Sequence, residues 1–218
     1  MPEEELNAVG IQQAARLVEF LHDEPIASVD SSIMVRTYQT ADGVAADHDV
    51  PPVLADEDLR EVELPSKDER IAGGIMYQWV NDPSTRGNAF GGAEDYYDVQ
   101  ERWERWWTQY AREHRNDRGT GVVVAHGGIY GLMLPETCAN KPQLPFSERF
   151  PGNTEFIKAH LNPQRHPGLH RVRRQPRPCR HAQRGRLAAL LLRGGPGHRC
   201  LDEGGLPRPP DRANRHSG

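Results

Sequence analysis

The sequence predicts an α/β domain that is followed by a tail of different composition. Segments with apolar residues at helical spacing alternate, along the first part of the chain, with short apolar runs that are typical of strands. The run at residues 121–125 is continuously apolar, as in strands that are buried on both faces of a parallel sheet. All 15 aromatic residues precede residue 163. We therefore expect a folded domain over residues 1–162 and a tail over residues 163–218.

The domain is predicted to start with a helix and a strand. Apolar residues recur at near-helical spacing over residues 5–22, and Pro25 follows the end of this segment. Residues 26–29 are a short strand candidate. Residues 44–92 contain scattered Pro and Gly and few periodic stretches, so we expect them to be irregular.

A second helix is predicted directly after this strand. Ser31 or Ser32 can cap its N-terminus, and the helix should run through Thr40. Arg36 then lies one turn into the helix. A guanidinium near a helix N-terminus favours phosphate or carboxylate, because it adds a fork of donors to the helix dipole. An arginine on a solvated helix face is the alternative interpretation of this residue taken alone.

The second part of the domain contains the clearest helix of the chain, over residues 94–115. It has a broad aromatic face, which indicates packing on the core, although such a face could also shape a ligand pocket. The residues of this face are Tyr97, Val99, Trp103, Trp106, Trp107 and Tyr110. The buried strand at residues 121–125 follows, then a helix over residues 129–134 and a last strand candidate at residues 153–161.

Charge is divided unevenly between the domain and the tail. Residues 1–162 carry a net charge of −14, whereas residues 163–218 carry 13 Arg, no Lys and three acidic residues, a net charge of +10. An acidic domain repels phosphate backbones, so we expect no nucleic-acid binding except through the basic tail. No apolar run approaches the roughly 18 residues of a membrane span, and no signal peptide is evident. Three scattered cysteines make no disulfide framework, which favours a cytoplasmic protein.

The tail has three alternative interpretations. Its eight Pro, eight Gly and absent aromatic residues favour a disordered extension or an out-of-frame translation product, because such a segment buries too little apolar surface to offset chain entropy. The second interpretation is an arginine-rich arm for nucleic acid or an anionic membrane surface. The third is a metal site, although we expect none. Its ligands would be Cys179, His181, His198 and Cys200.

The strongest local signal for chemistry is the strand–His–Gly–Gly pattern at residues 122–128. Ligands of open parallel sheets bind beyond the carboxyl ends of the strands, and His126 lies at that point. A histidine there can hold an anion or transfer a proton. Gly127 and Gly128 let the backbone approach a ligand closely. A structural turn with an incidental histidine is the alternative.

Two carboxylates are candidates for proton transfer or ligand contact. Glu61 lies in the segment 59–64, and Glu94 follows a pair of small residues. A carboxyl group placed against a phosphate pocket can protonate a leaving oxygen. In an acidic chain, a solvated surface carboxylate is the alternative for each.

Five short segments follow one another along the chain: Leu6…Gly10…Gln13-Ala14, Ser31-Ser32…Arg36…Gln39-Thr40, Leu59…Glu61, Gly92-Ala93-Glu94 and residues 122–128. In this order and spacing, they resemble the histidine phosphatase superfamily, the phosphoglycerate-mutase-like group. The resemblance implies a three-layer α/β/α sandwich on a mostly parallel sheet. It also implies phosphoryl transfer to a histidine and then to water or another hydroxyl. No metal or other cofactor is implied, because two Arg and two His surround the phosphoryl group.

The resemblance also implies roles for single residues. His126 matches the second histidine of the family, and Glu61 lies where many members place the proton donor, with Glu63 as the fallback. Arg36 matches the second arginine. The residues expected to contact the substrate, a phosphorylated small molecule, are Arg36, Glu94 and Gly127.

The sequence departs from the family pattern at the nucleophile. Members of the family begin with a central strand that ends in Arg-His-Gly, and its histidine attacks phosphorus. No such triplet occurs in these 218 residues. We therefore expect a domain that is incomplete at its N-terminus and has little phosphatase activity.

Four other functions stay open. The first is a non-catalytic domain that binds phosphate esters or a protein partner, and the second is mutase-type phosphotransfer. The third is nucleic-acid binding through the tail. The fourth is an α/β-hydrolase, which would need a Gly-x-Ser-x-Gly motif that the sequence lacks. The sequence predicts no oligomeric state.

Overall fold

A computed structural model describes residues 5–138, 143–153, 155–160, 173–174 and 187–193 of the chain. The helices are α1 (Ala8–Leu21), α2 (Val35–Asp47), α3 (Glu69–Asn81), α4 (Tyr96–Glu113), α5 (Gly127–Thr137) and α6 (Phe146–Arg149). The strands are β1 (Ile26–Ser32), β2 (Leu54–Asp56), β3 (Thr120–His126), β4 (Glu155–His160), β5 (Arg173–Arg174) and β6 (Leu187–Arg193). Short 3-10 helices span Glu57–Leu59, Pro83–Thr85 and Phe90–Gly92.

The described strands form one sheet in the order β2-β1-β3-β6-β4-β5. β1 pairs in parallel with β2 on one side and with β3 on the other. β6 is antiparallel to β3 and parallel to β4, and β5 is antiparallel to β4. Three of these five pairings are parallel, which confirms the predicted mostly parallel sheet.

Helices cover both faces of the sheet, because β3 is apolar on both of its faces. Val122 and Val124 point into a core cluster with α1 and α2, whereas Val123 and Ala125 point into a second cluster with α3, α4 and α5. All four side chains are 0% exposed. The three-layer α/β/α sandwich is therefore confirmed, and the continuous apolar run is explained by burial on both faces.

The aromatic face of α4 packs into the second core cluster. Trp103, Trp106, Trp107 and Tyr110 are buried there. Tyr97 is the exception on this face, since it is 54% exposed. The expectation that this face packs on the core is therefore met by four of its five aromatic rings.

The region 44–92 contains a helix where we expected irregular structure. α3 spans Glu69–Asn81, and the Asp68 side chain caps it by accepting from the Arg70 and Ile71 amides. Only two of its residues, Ile75 and Trp79, are buried. Two buried residues are too few to give the sequence a clear helical period. The packing of these two side chains stabilises the helix, although Gly73 and Gly74 lower its intrinsic propensity.

The start of α2 also differs from the expectation. Ser31 and Ser32 are the last residues of β1, and the N-cap position is occupied by Met34 without a side-chain cap bond. The helix thus begins two or three residues later than the predicted caps require. Arg36 is consequently its second residue and not a residue one turn into it.

Part of the predicted tail belongs to the sheet. β5 and β6 both follow residue 162, and β6 lies in the interior of the sheet between β3 and β4. The physical reason is the aliphatic run at residues 187–192, which has the composition of a buried strand. The remainder of residues 163–218, including the candidate metal ligands, lies outside the described residues, and the domain boundary at residue 162 stays a prediction.

None of the helices in the described ranges is both long and apolar enough to cross a membrane.

Candidate active site

Two parallel strands bring the strongest sequence candidates to one edge of the sheet. β1 and β3 are neighbours, and Ser32 and His126 are their last residues. α2 and α5 begin just beyond these strand ends, so Arg36 and Gly127 lie at the same edge. This edge is where open α/β sheets bind their ligands.

His126 is fully buried and makes two hydrogen bonds through its ring. Arg36 Nη2 lies 3.2 Å from Nδ1, and Ser32 Oγ lies 3.0 Å from Nε2. A guanidinium can only donate, so Nδ1 is the acceptor and carries no proton. The neutral ring therefore holds its proton on Nε2 and donates it to Ser32 Oγ.

The surroundings of His126 keep its ring neutral. Burial lowers the pKa of His126 well below its ordinary value, and the nearby positive charges of Arg36 and Arg102 lower it further. The hydrogen bonds and the pKa therefore agree on a neutral imidazole with an unprotonated Nδ1 that faces Arg36.

Arg36 is half-buried and lies in the first turn of α2. Besides His126, its Nη2 atom contacts the thioether sulfur of Met34 at 3.4 Å. The position of Arg36 combines a positive side chain with the N-terminal end of a 13-residue helix, which favours an anion at this point.

Glu61 reaches the same edge from the irregular segment that follows β2. Its carboxylate accepts from the Gly128 and Ile129 amides at the start of α5, each at 3.2 Å, and from the Val62 amide at 2.9 Å. Position 128 must be glycine for this contact, because a Cβ atom there would meet Glu61 Oε1. Both the helix dipole and the amides stabilise a carboxylate at this place.

Desolvation nevertheless has the largest effect on the pKa of Glu61, and it favours the protonated carboxyl group. Burial raises the pKa of its carboxyl group, while the Val62 and Gly128 amides, the charge of Arg36 and the Ile129 amide oppose the rise. A carboxyl group with a raised pKa beside an anion site is suited to donating a proton.

Glu94 lies in a different environment from that of the other candidates. Its Oε1 accepts from Arg102 Nε at 2.8 Å and from Arg60 Nη2 at 2.9 Å, and its Oε2 accepts from Arg102 Nη2 at 3.1 Å and from the Glu63 amide at 2.9 Å. Both carboxylate oxygens are thus engaged by the protein. Its expected contact with a substrate stays a prediction.

Two residues of this region were absent from the candidates drawn from the sequence. Ser32 was regarded only as a possible helix cap, although its place at a strand end beside the His126 strand is a signal for a site residue. Arg102 is not among the residues of the aromatic face that the sequence indicated for α4, yet it is 3% exposed. Its spacing from Val99 and Trp106 puts it on the apolar stripe of the helix, where a charged residue needs a buried partner.

The structure thus brings Arg36, His126, Glu61 and Gly127 to one edge of the sheet. A cationic guanidinium, an imidazole that can accept a proton and a carboxyl group that can donate one fit a small anionic group. Within the described residues, no group of three or more His, Cys, Asp or Glu is arranged to hold a metal ion.

A family model and a curated protein are similar to this chain in sequence. The family model of the histidine phosphatase superfamily (branch 1) matches residues 2–172. Phosphoglycerate mutase-like protein 4 from Arabidopsis thaliana is 32% identical over 139 residues, which cover 57% of this chain. The chain spans little more than half of that curated relative, 56% of its length.

Solved structures share the fold. A mycobacterial glucosyl-3-phosphoglycerate phosphatase in its native form is 24% identical, with a TM-score of 0.52, over 68% of this chain and 72% of that chain. The same enzyme solved with VO3 is 23% identical, with a TM-score of 0.54, over 78% of this chain and 86% of that chain. YhfR from Bacillus stearothermophilus is 23% identical, with a TM-score of 0.50, over 64% and 72% of the two chains.

Proposed function

Since this chain belongs to the histidine phosphatase superfamily (branch 1), we propose that its Arg36–His126 site binds the phosphoryl group of a phosphomonoester. The observation that carries the proposal is the 3.2 Å contact between Arg36 Nη2 and His126 Nδ1, with the Glu61 carboxylate nearby at the start of α5. Complexes of the mycobacterial phosphatase with VO3 and with inorganic phosphate support this class of ligand.

Each of these residues has a role in the proposal. Arg36 donates to phosphoryl oxygens and neutralises their charge. His126, once protonated on Nδ1, donates to another oxygen, while Nε2 keeps its bond to Ser32. Glu61 protonates the leaving oxygen of the ester and afterwards helps to activate water.

We further propose that these 218 residues bind phosphomonoesters but hydrolyse them slowly. The family chemistry passes through a phosphohistidine, and the sequence contains no Arg-His-Gly triplet to supply that nucleophile. A non-catalytic binding domain is therefore the second candidate function.

Binding and turnover can be measured on the same purified chain. We expect calorimetry to detect phosphate binding, and we expect p-nitrophenyl phosphate hydrolysis to stay close to the uncatalysed rate. Hydrolysis at ordinary enzyme rates, about 1–1000 per second, that is lost in His126→Ala would show that another group serves as nucleophile. Absence of phosphate binding would contradict the proposed function itself.

The neutral state of His126 predicts that anion binding takes up a proton. In the free protein its pKa is depressed by burial and by Arg36; a bound dianion beside the ring favours the imidazolium and raises this pKa. The affinity of the protein for the dianion should therefore fall as the pH rises, by at most about tenfold per pH unit. Sulfate is a suitable probe, because it stays a dianion between about pH 5 and pH 8 while histidine titrates.

Calorimetry of sulfate binding in two buffers with different ionisation enthalpies measures the proton directly. The apparent binding enthalpies should differ in the wild-type protein and coincide in His126→Asn. Identical enthalpies for the wild-type protein would show that His126 does not change protonation on binding.

A further inference from the structure

The segment that carries Glu61 has little regular structure of its own. Residues 60–68 lie between the 3-10 helix Glu57–Leu59 and α3, and they contain neither helix nor strand. Glu61 is nevertheless placed on two backbone amides of α5, which lie more than 60 positions further along the chain. Such a placement needs contacts that fix the backbone on either side of Glu61.

One buried side chain supplies these contacts. Arg102 of α4 donates through Nη1 to the Asp58 carbonyl at 2.6 Å and to the Arg60 carbonyl at 2.8 Å, and through Nη2 to the Glu61 carbonyl at 3.4 Å. Its remaining two N–H groups bind Glu94 from Nε and Nη2. All five N–H groups of the guanidinium are therefore used, two of them on the segment that carries Glu61 and one on the 3-10 helix just before it.

Glu94 completes the arrangement from the other side. Its two oxygens hold the Arg102 fork in a bidentate pair, and they also accept from the Glu63 amide and from Arg60. The pair thus contacts the backbone before, at and after Glu61. Both side chains are at most 9% exposed, so water does not compete strongly for these bonds.

Stability alone does not account for a buried ion pair here. Replacing such a pair by apolar side chains of similar volume is often neutral or stabilising, because two charges must lose their hydration. An apolar side chain could fill the place of Arg102, but it could not bind the three carbonyl groups. The ion pair therefore serves to fix the backbone conformation of the segment that carries Glu61.

We propose that Arg102 and Glu94 are positioning residues that hold the Glu61 carboxylate on the Gly128 and Ile129 amides. The catalytic importance of this placement rests on the proposed function, but the placement itself can be tested without a ligand. This proposal gives Glu94 a role inside the protein, in place of a direct contact with substrate.

The Gly128 and Ile129 amides are direct reporters of the Glu61 carboxylate. In ¹H–¹⁵N NMR spectra of the wild-type chain, both amide resonances should titrate together, with the apparent pKa of Glu61. In Arg102→Lys, one ammonium with three donors replaces the five-donor fork, so it cannot bind the three carbonyls and Glu94 together. We expect the shared titration of the two amides to be lost while the spectrum stays that of a folded protein.

Glu94→Gln provides an independent second variant. It keeps the size of the side chain but turns one acceptor into a donor that faces Arg102, so we expect the same loss of the shared titration. Arg105→Lys is the matched control, because Arg105 lies on the same helix and also binds Asp58. It binds the carboxylate of Asp58 and not the carbonyl, and its side chain is 57% exposed. In this variant the Gly128 and Ile129 amides should titrate as in the wild-type protein.

The outcomes separate the placement of Glu61 from the proposed function. Unchanged amide titration in folded Arg102→Lys or Glu94→Gln would overturn the positioning role, as would an absence of titration in the wild-type chain. Loss of the fold in both variants would also overturn it, since the pair would then be a general element of the core. Absence of phosphate binding by the wild-type chain contradicts the proposed function only and leaves the amide test intact.

Discussion

Replacing Arg36 with alanine should weaken phosphate binding by about 10- to 100-fold. A hydrogen bond that involves a charged group contributes about 1.5–3 kcal/mol, and each 1.4 kcal/mol corresponds to a factor of about ten in affinity. Arg36 is the cationic side chain that contacts His126 at the edge of the sheet. Its loss removes both the donor fork and the charge that balances the dianion. Isothermal calorimetry with inorganic phosphate measures the change.

Two further variants make this measurement specific. Arg112→Ala removes the same charge from an exposed position on α4 and should leave the affinity unchanged. Arg36→Lys keeps the charge but offers no planar fork, so its affinity should fall between those of the wild-type protein and Arg36→Ala. Equal affinities of Arg36→Ala and Arg112→Ala would exclude Arg36 from the binding site.

The second large effect concerns the core. Trp103→Ala should lower the free energy of unfolding by about 3–5 kcal/mol, the usual cost of removing a buried large aromatic side chain. The indole is 1% exposed, its plane lies within 4° of that of Trp107, and its Nε1 donates to Thr137 Oγ1 at 2.7 Å. The variant therefore leaves a cavity between α4 and α5 and removes the hydrogen bond that Thr137 Oγ1 accepts, while this hydroxyl keeps its bond to the Met133 carbonyl.

Urea unfolding followed by circular dichroism measures this loss. Domains of this size are usually stable by only about 5–15 kcal/mol, so Trp103→Ala should unfold at a much lower urea concentration. Tyr97→Ala is the control on the same helix, because Tyr97 is 54% exposed; it should change stability by only about 0.5 kcal/mol. Similar losses in the two variants would show that the aromatic face is not packed as described.

The fold could be predicted wherever the apolar pattern was strong. The continuous run of valines in β3 and the aromatic stripe of α4 each indicated the correct element, because burial on two faces or on one stripe leaves a clear period. α3 was missed because two buried residues, Ile75 and Trp79, stabilise it through tertiary packing. β6 was missed because its aliphatic run lies among Arg, Pro and Gly, and its pairing partners are distant in the chain.

The candidate site was predictable to the extent that its residues follow strand ends. His126 is the last residue of β3, and Arg36 lies four residues after the end of β1, so their proximity follows from the parallel pairing of these strands. The choice of Glu61 required the resemblance to a known family, since an acidic chain offers many carboxylates, and its contacts with α5 were not predicted. The contacts of Arg102 with the backbone around Glu61 could not be predicted from the sequence, because every residue has a carbonyl group and no sequence pattern marks those that Arg102 binds.

The position of β6 has a consequence for how the domain folds. β3 pairs with β1 on one edge and with β6 on the other, and β6 lies more than 60 residues further along the chain. During synthesis, β3 leaves the ribosome well before β6, so the edge of β3 that will pair with β6 is exposed to solvent or to a chaperone first. Non-local pairing of this kind slows folding. The nascent chain is therefore most exposed to aggregation before the ribosome has added residue 193, the last residue of β6.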